Sequence, residues 1–352
     1  MARKSRQAPE IREFILRNLE DYPTSIVTKA MEKFNYSRMG INRYMHALAS
    51  EGLLTYHGNT SGRRYDLKAI MKTAFGLEVD HLWEEGTIWR ERILPLMKDV
   101  KPNVVGICQY GFTEMLNNVI DHAQSPTVEI FYQQTYGSIG MVIVDKGIGI
   151  FQKIQHDFKL DDPRTALLEL SKGKITSDSK HHSGEGIYFT SRAFDRFSIR
   201  SGNLFYAREK RDGDDWLIEA NDRTANRKGT LVRMKIRTNA DWSMQDVFEK
   251  YQGDSMRFRK THVPLKLAQY PGEQLVSRSQ AKRLLMRFDR FSEVYLDFQD
   301  VKEIGQAFAD EIFRVFHKEH PDIRMVIANA NGNITKMIEF VSGEKFVSGS
   351  NV

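Results

Sequence analysis

The sequence predicts a mixed α/β chain of several domains, and three observations predict it. Its 352 residues are two to three times an ordinary domain. Hydrophobic residues at 41% and charged residues at 28% are the composition of globular units that bury a core, which excludes a disordered or fibrous chain. Three patterns also follow one another: helices ending in a hairpin over 1–70, a helix with strand pairs over 103–240, and alternating strands and helices over 263–352. Residues 71–102 read as a helical connector or dimer-forming segment and 241–262 as a charged linker.

Residues 9–70 come first. Ile11, Phe14, Ile15 and Leu19 recur at helical spacing, and Asp21-Tyr22-Pro23 stops that helix. Thr24 or Ser25 can cap a second helix carrying Ile26, Val27, Ala30 and Met31, and Ser37 is a good N-cap for a third. The third helix turns Ile41, Tyr44, Met45 and Leu48 to one side and Arg38, Asn42, Arg43 and His46 to the other. Leu53–Tyr56 and Arg64–Leu67 then flank a turn with Gly58, Asn59 and Gly62, a hairpin pattern. Residues 1–70 hold 12 Lys/Arg against 7 Asp/Glu, whereas the rest of the chain is nearly neutral, so most of the net +6 sits here. That asymmetry suits a polyanion-binding module joined to something that is not one. The order of elements resembles a winged helix-turn-helix domain. The resemblance implies binding to double-stranded DNA through Arg38, Asn42, Arg43, Arg63 and Arg64, with Asn42 and Arg43 reaching base edges and Arg63 and Arg64 the phosphates. The alternative is a protein-docking module whose charges are merely solvated.

The single cysteine, Cys108, excludes a disulfide framework and a four-cysteine zinc site. No apolar run approaches the ~20 residues that cross a bilayer. The expectation is a reduced, cytoplasmic compartment and no membrane partner.

From Asn103, Val104, Val105, Cys108, Phe112, Met115, Leu116 and Val119 form an apolar helical stripe, while Glu114, Asn118 and His122 share another face at i, i+4 and i+8. A carboxylate and a carboxamide one turn apart can hold a water and a metal ion over a phosphate chain, although any solvated helix face can show the spacing. Val128–Gln133 and Ile139–Val144 are strand-like runs, and the second feeds into Asp145-Lys146-Gly147-Ile148-Gly149. An acid at the end of a buried strand, followed by two glycines, lets backbone pass close to a flat ligand while the acid accepts from an exocyclic amine. A polar stretch, Ser171–Ser183, ends in Gly184-Glu185-Gly186 at the start of a helix, where glycines make an anion cradle. Gly229-Thr230 leads into a further strand. Ser198–Arg208 and Asp215–Ala220 read as a hairpin turned at Asp212-Gly213.

This order of motifs resembles the ATP-binding domain shared by gyrase, histidine kinases and MutL, the GHKL superfamily, over roughly residues 100–240. Such a domain is a two-layer α/β sandwich of the Bergerat type. Glu114-x-x-x-Asn118 is similar to its N-box, Asp145-x-Gly147-x-Gly149 to its first glycine box, Ser183-Gly184-x-Gly186 to its second and Gly229-Thr230 to its last. The resemblance implies ATP and Mg²⁺ as cofactors, and a slow ATPase. It makes Glu114 the group that orients or activates water, Asn118 the Mg²⁺ ligand and Asp145 the reader of the adenine amine. Gly147 and Gly149 would shape the base pocket, Gly184 and Gly186 would offer N–H groups to the phosphates under a lid of residues 171–183, and Thr230 would sit behind the adenine. Lys172, Lys174 and Lys180 are candidates for a phosphate contact. Asn118-Val-Ile-Asp121-His122 matches the variant of anti-sigma-factor serine kinases, although His122 reads more simply as a core or helix-end residue. An ATP-dependent homodimer is also implied. No upstream helical hairpin carries a phosphoacceptor histidine, which argues against autophosphorylation.

In the last part the run Leu296–Glu311 resembles a STAS-like domain of uncharacterised function found beside such ATPases, which implies a small α/β layer and a docking surface for a protein partner. Gly305-Gln306-Ala307 stands where a phosphorylated serine opens the helix in related antagonists. Asp297, Asp300, Asp310 and Glu311 read as helix-start and surface acids. Three functions follow: an ATP-controlled DNA-binding regulator, a serine kinase or anti-sigma-like partner switch, and a degenerate nucleotide-binding module. Retention of Glu114 counts against the third and Gln306 against the second.

Overall fold

The computed structural model describes residues 7–59, 62–80, 85–173, 185–211, 214–217, 227–252, 260–269 and 273–349. The N-terminal unit has three helices, α1 (Ala8–Asn18), α2 (Ile26–Phe34) and α3 (Arg38–Ser50), and an antiparallel pair, β1 (Leu54–His57) with β2 (Arg64–Leu67). Asn35, in the left-handed region at φ 53°, ends α2, and the Ser37 hydroxyl caps α3 by accepting from Gly40 N–H at 3.2 Å. Ile11, Ile15, Ile26, Ala30, Ile41, Leu48 and Leu54 close a core of their own.

The second unit is a seven-stranded antiparallel sheet in the order β3-β4-β5-β9-β6-β7-β8. Its strands are β3 (Met71–Glu78), β4 (Thr127–Gln134), β5 (Ser138–Asp145), β6 (Arg196–Gly202), β7 (Leu204–Arg211), β8 (Asp214–Leu217) and β9 (Arg227–Arg237). One face carries the helices α4 (Pro102–His122), α5 (Ile150–Asp157), α6 (Pro163–Lys172) and α7 (Gly186–Ala193). The stripe expected on α4 is buried from Val104 to Val119, except that Val105 is half-buried.

Three readings change here. Residues 71–78 are not helical: Phe75 and Leu77 alternate inward and pair with Ile130 and Val128 of β4, so the segment is an edge strand of this sheet. Short helical turns do follow, over Glu85–Ile88 and Trp89–Ile93, and Trp89 packs on Phe112. The run Ser198–Arg208 is not one strand. It reverses at Gly202, which has φ 58°, so that Ser201 faces Leu204 in a tight β6–β7 hairpin, and the expected turn at Asp212-Gly213 lies outside the described residues. The expected linker contains a helix, α8 (Met244–Gln252), which seats Phe248 between Tyr110 and Phe189.

The third unit is a four-stranded parallel sheet, β10 (Lys260–Pro264), β11 (Glu293–Asp297), β12 (Arg324–Ala328) and β13 (Val347–Gly349), in chain order. The connecting helices are α9 (Arg278–Leu285), α10 (Gln306–Asp310, continuing helically through Phe316) and α11 (Gly332–Ser342). Val263–Ala268 reads as one strand, but the strand stops at Pro264, because Leu265–Ala268 is a 3₁₀ turn, and β13 was not expected. The apolar core runs without a break from the seven-stranded unit into this one. Among the described residues no helix is long and apolar enough to cross a membrane.

Candidate nucleotide-binding site

Strand register builds the floor of the site. β5 and β9 pair antiparallel with Val144 opposite Leu231, so Asp145 comes to stand beside Thr230 at the sheet's end. β6 pairs on the other side of β9 and puts Ser201 opposite Thr230. Asp145 is only 3% exposed, and a carboxylate at that depth needs donors. It accepts from Gly147 N–H at 2.8 Å and from Thr230. Burial pushes its pKa up from the ordinary carboxylate value, against the pull of those donors and of Arg227. Thr230 Oγ1 in turn accepts from Ile150 N–H at 3.1 Å, which ties the start of α5 to β9.

The two glycines after Asp145 are needed at close quarters. A Cβ on Gly147 would stand 1.8 Å from the Ala123 carbonyl oxygen, and Gly149, at φ 86°, would put one 2.4 Å from Ser201 Oγ. Backbone therefore passes where no side chain fits, and a cleft opens between α4 and α5. Met115, Asn118 and His122 of α4 line one wall, Ile150, Lys153, Ile154, Asp157 and Phe158 the other, and Asp145, Gly149, Ile199, Thr230 and Val232 the floor. Glu114 lies one turn along α4 from Asn118. It abuts α7 where that helix begins, and a Cβ on Gly186 would meet Glu114 Oε2 at 1.9 Å.

Four sequence motifs thus converge, bringing together Glu114, Asn118, Asp145, Gly147, Gly149, Gly186 and Thr230. Gly184, Lys174, Lys180 and all but the first three residues of the expected lid lie outside the described residues. His122 is a helix-end residue as read, and it also lines the cleft. Lys172 is corrected: it is fully buried, with Nζ 2.5 Å from Glu169 Oε1 and 2.9 Å from the Met286 carbonyl, so its ammonium is engaged inside the protein. Lys153 and Asp157, an i, i+4 ion pair at 2.7 Å, were missed, although Ile150, Ile154 and Phe158 recur at helical spacing directly after the first glycine box.

A flat apolar slot that ends at a buried carboxylate fits an aminopurine. Asn118 in the wall fits a ligand of Mg²⁺, and the glycine-bounded approach at Gly186 fits phosphate. No cluster of three or more metal-ligating acids, histidines or cysteines occurs among the described residues. The acids of the third unit are engaged elsewhere: Asp300 with Lys266, Asp310 with Arg278 and Arg314, and Asp297, buried rather than on the surface, with His262 and Asn329.

On the N-terminal unit Arg38 and Arg43 are exposed along α3 and Asn42 is half-buried. Arg63 lies over the Tyr56 ring, 4.8 Å from its centroid, and exposed Arg64 meets Asp66 at 3.3 Å.

No curated protein matches the chain. Residues 93–204 match the family described as histidine kinase-like ATPase domain, and residues 280–335 match the STAS-like domain of unknown function. The first match spans the α4 and β5 boxes and the second spans α9 to the start of α11, so the chain carries a histidine kinase-like ATPase domain followed by a STAS-like domain.

Proposed function

We propose that this protein is an ATP-responsive DNA-binding regulator, in which the state of the nucleotide cleft controls duplex binding by a winged helix at the N-terminus. The convergence of Asp145, Thr230, Asn118 and Glu114 around one cleft carries the ATP half of the reading. The three helices, the β1–β2 hairpin and the local excess of Lys and Arg support the DNA half. We place the protein in the cytoplasm, with an ATP-dependent homodimer and a protein partner for the STAS-like domain.

In this reading Asp145 accepts from the adenine amine and Thr230 backs the ring. Asn118 would hold Mg²⁺, which neutralises charge on the phosphates. Gly186 lets the start of α7 approach the phosphates without a side chain in the way. Glu114, against Gly186, accepts a proton from the water that attacks the terminal phosphate.

The roles separate in variants of the full chain. Glu114→Ala should still bind Mg²⁺-ATP but turn it over about 10²–10⁴-fold more slowly. Asn118→Ala should lose the metal-dependent part of binding as well. Calorimetry paired with phosphate release, with and without duplex DNA, measures both. Equal turnover in wild type and Glu114→Ala would remove the assigned base.

A further inference from the structure

A buried ionic cluster joins the ATPase domain to the STAS-like domain next to the nucleotide cleft. Glu169 and Lys172, on the last turns of α6, are both fully buried. From the other domain, Arg287 donates through Nη1 to Glu169 Oε2 at 2.9 Å and through Nη2 to the Gly173 carbonyl at 3.0 Å. Lys172 Nζ donates to the Met286 carbonyl at 2.9 Å, and Thr261 Oγ1 on β10 donates to the Lys172 carbonyl at 2.7 Å. The Arg287 guanidinium also lies 5.2 Å from the centroid of Phe158, and Phe158 is part of the cleft wall.

One carboxylate thus serves two cations inside the protein. Taking three charges out of water is expensive, and apolar side chains would join two helices at less cost. What a fan of directional bonds adds is fixed geometry. Arg287 also holds a left-handed backbone at φ 67°, a conformation a non-glycine residue keeps only where its surroundings over-determine it. The end of α6 is therefore set from the STAS-like domain rather than by its own domain alone. Both groups that Arg287 touches matter to the cleft: Phe158 directly, and Gly173 as the end of the helix whose chain continues to Glu185 and Gly186.

We propose that Arg287 is a positioning residue of the ATP site, through which the STAS-like domain holds the Phe158 wall and the end of α6 in the geometry that binds nucleotide; this rests on the reading of the cleft as an ATP site. The residue touches no nucleotide. Its effect is on affinity, and it makes the ATPase domain dependent on its neighbour.

The test uses the full chain with Mg²⁺, calorimetric affinity for ATP, and Asp145→Ala as the marker of the site. Arg287→Ala should weaken ATP binding roughly tenfold, the scale of losing one charge-assisted hydrogen bond. Arg287→Lys keeps the charge but cannot bridge Glu169 and the Gly173 carbonyl together, and should recover part of the loss. A merely structural role would lower the thermal midpoint and leave the affinity of the folded protein unchanged, so a folded Arg287→Ala or Arg287→Lys protein with wild-type affinity overturns the proposal. Hydrogen exchange on the wild type needs no variant. Because coupling is reciprocal, ATP should increase protection over residues 284–291, and unchanged protection there also overturns the proposal. Failure of wild type to bind ATP, or binding indifferent to Asp145→Ala, removes the ATP reading itself and is distinct from either result.

Discussion

Asp145 meets two opposed demands. Adenine recognition needs its ionised form, and burial disfavours that form. With the carboxyl held above its ordinary value of 3.8, acidification should protonate it, and so remove the acceptor, at a pH where an exposed aspartate would still be charged. ATP affinity should therefore rise with pH up to the shifted value and level off above it. Asp145→Ala should lose one to two decades of affinity, the loss of about 1–3 kcal/mol for one buried polar contact. Asp145→Asn should bind weakly and without that pH dependence. Calorimetry between pH 4 and 8 measures both, and an Asn variant that keeps the wild-type pH profile would move the titration to another group. Asp145 and Thr230 were legible in the sequence because their chemistry is tied to the local backbone, an acid at a strand end and a hydroxyl after a glycine. Lys172 misled because its partners are a glutamate one turn back and, from 114 positions along the chain, the Met286 carbonyl. A lysine in a polar stretch reads as solvated until the fold brings such partners to it.

Among the elements, α4 and the strands on either side of Gly137 were readable because period 3.6 and period 2 differ clearly over such lengths. The β6–β7 turn carried a legible signal, Gly202-Asn203, a favoured two-residue hairpin loop, but the second turn signal at Asp212-Gly213 competed with it. β13 is three residues long, and its pairing with β12 is tertiary information. Between the edge strand β10 and the end of β11 stands a titratable pair. His262 Nε2 lies 3.2 Å from Asp297 Oδ2, while Asp297 Oδ1 accepts from Asn329 Nδ2 at 2.8 Å and Gln299 N–H at 2.9 Å. Burial pulls the His262 pKa below its ordinary value despite Asp297, and Arg192 and Arg208 add to the effect. Burial pushes Asp297 up, but its donors hold it below the ordinary value. The signs agree. Between the folded and unfolded values of His262 the unfolded chain binds more protons, so stability falls as pH drops from about 6.5, the unfolded value. Asp297 contributes stability above about 3.9, which is lost as pH falls through its lower folded value. The unfolding midpoint should decline in two stages on acidification, and His262→Gln should abolish the first and shrink the second, since His262 is the foremost of the partners that lower Asp297. A variant that keeps the decline beginning near neutrality would assign it elsewhere.

For the whole molecule, β5 links the nucleotide cleft to the N-terminal unit. Its last residue, Asp145, lies in the cleft, and its first, Ser138, lies against the N-terminal unit, about 23 Å away at roughly 3.3 Å per residue. Glu20 accepts from Ser138 Oγ at 3.0 Å and Thr135 Oγ1 at 3.2 Å and pairs with Lys235 at 2.9 Å; Asp21 meets Arg196 at 3.2 Å. Tyr136, in the β4–β5 turn, packs against the N-terminal core and hydrogen-bonds Glu13. The partly exposed ion pairs are worth little, well under about 1 kcal/mol each, so the buried area around Tyr136 should dominate the contact. Two variants separate DNA binding from its control. Arg63→Ala with Arg64→Ala should weaken duplex binding at every sequence and reduce the slope of log affinity against log salt by about 2, since each lost phosphate contact accounts for roughly 0.9. Tyr136→Ala leaves both binding sites intact but loosens the joint between them. It should bind ATP and duplex separately with near wild-type affinity, while the change in duplex affinity that ATP produces in the wild type disappears. By reciprocity, the change in ATP affinity that duplex produces should disappear with it. Salt titrations of a labelled duplex, with and without ATP, measure all of this on one protein. If wild-type duplex affinity is salt-independent, the N-terminal unit docks a protein instead; if it depends on salt but does not respond to ATP at any salt concentration, β5 carries no signal to it.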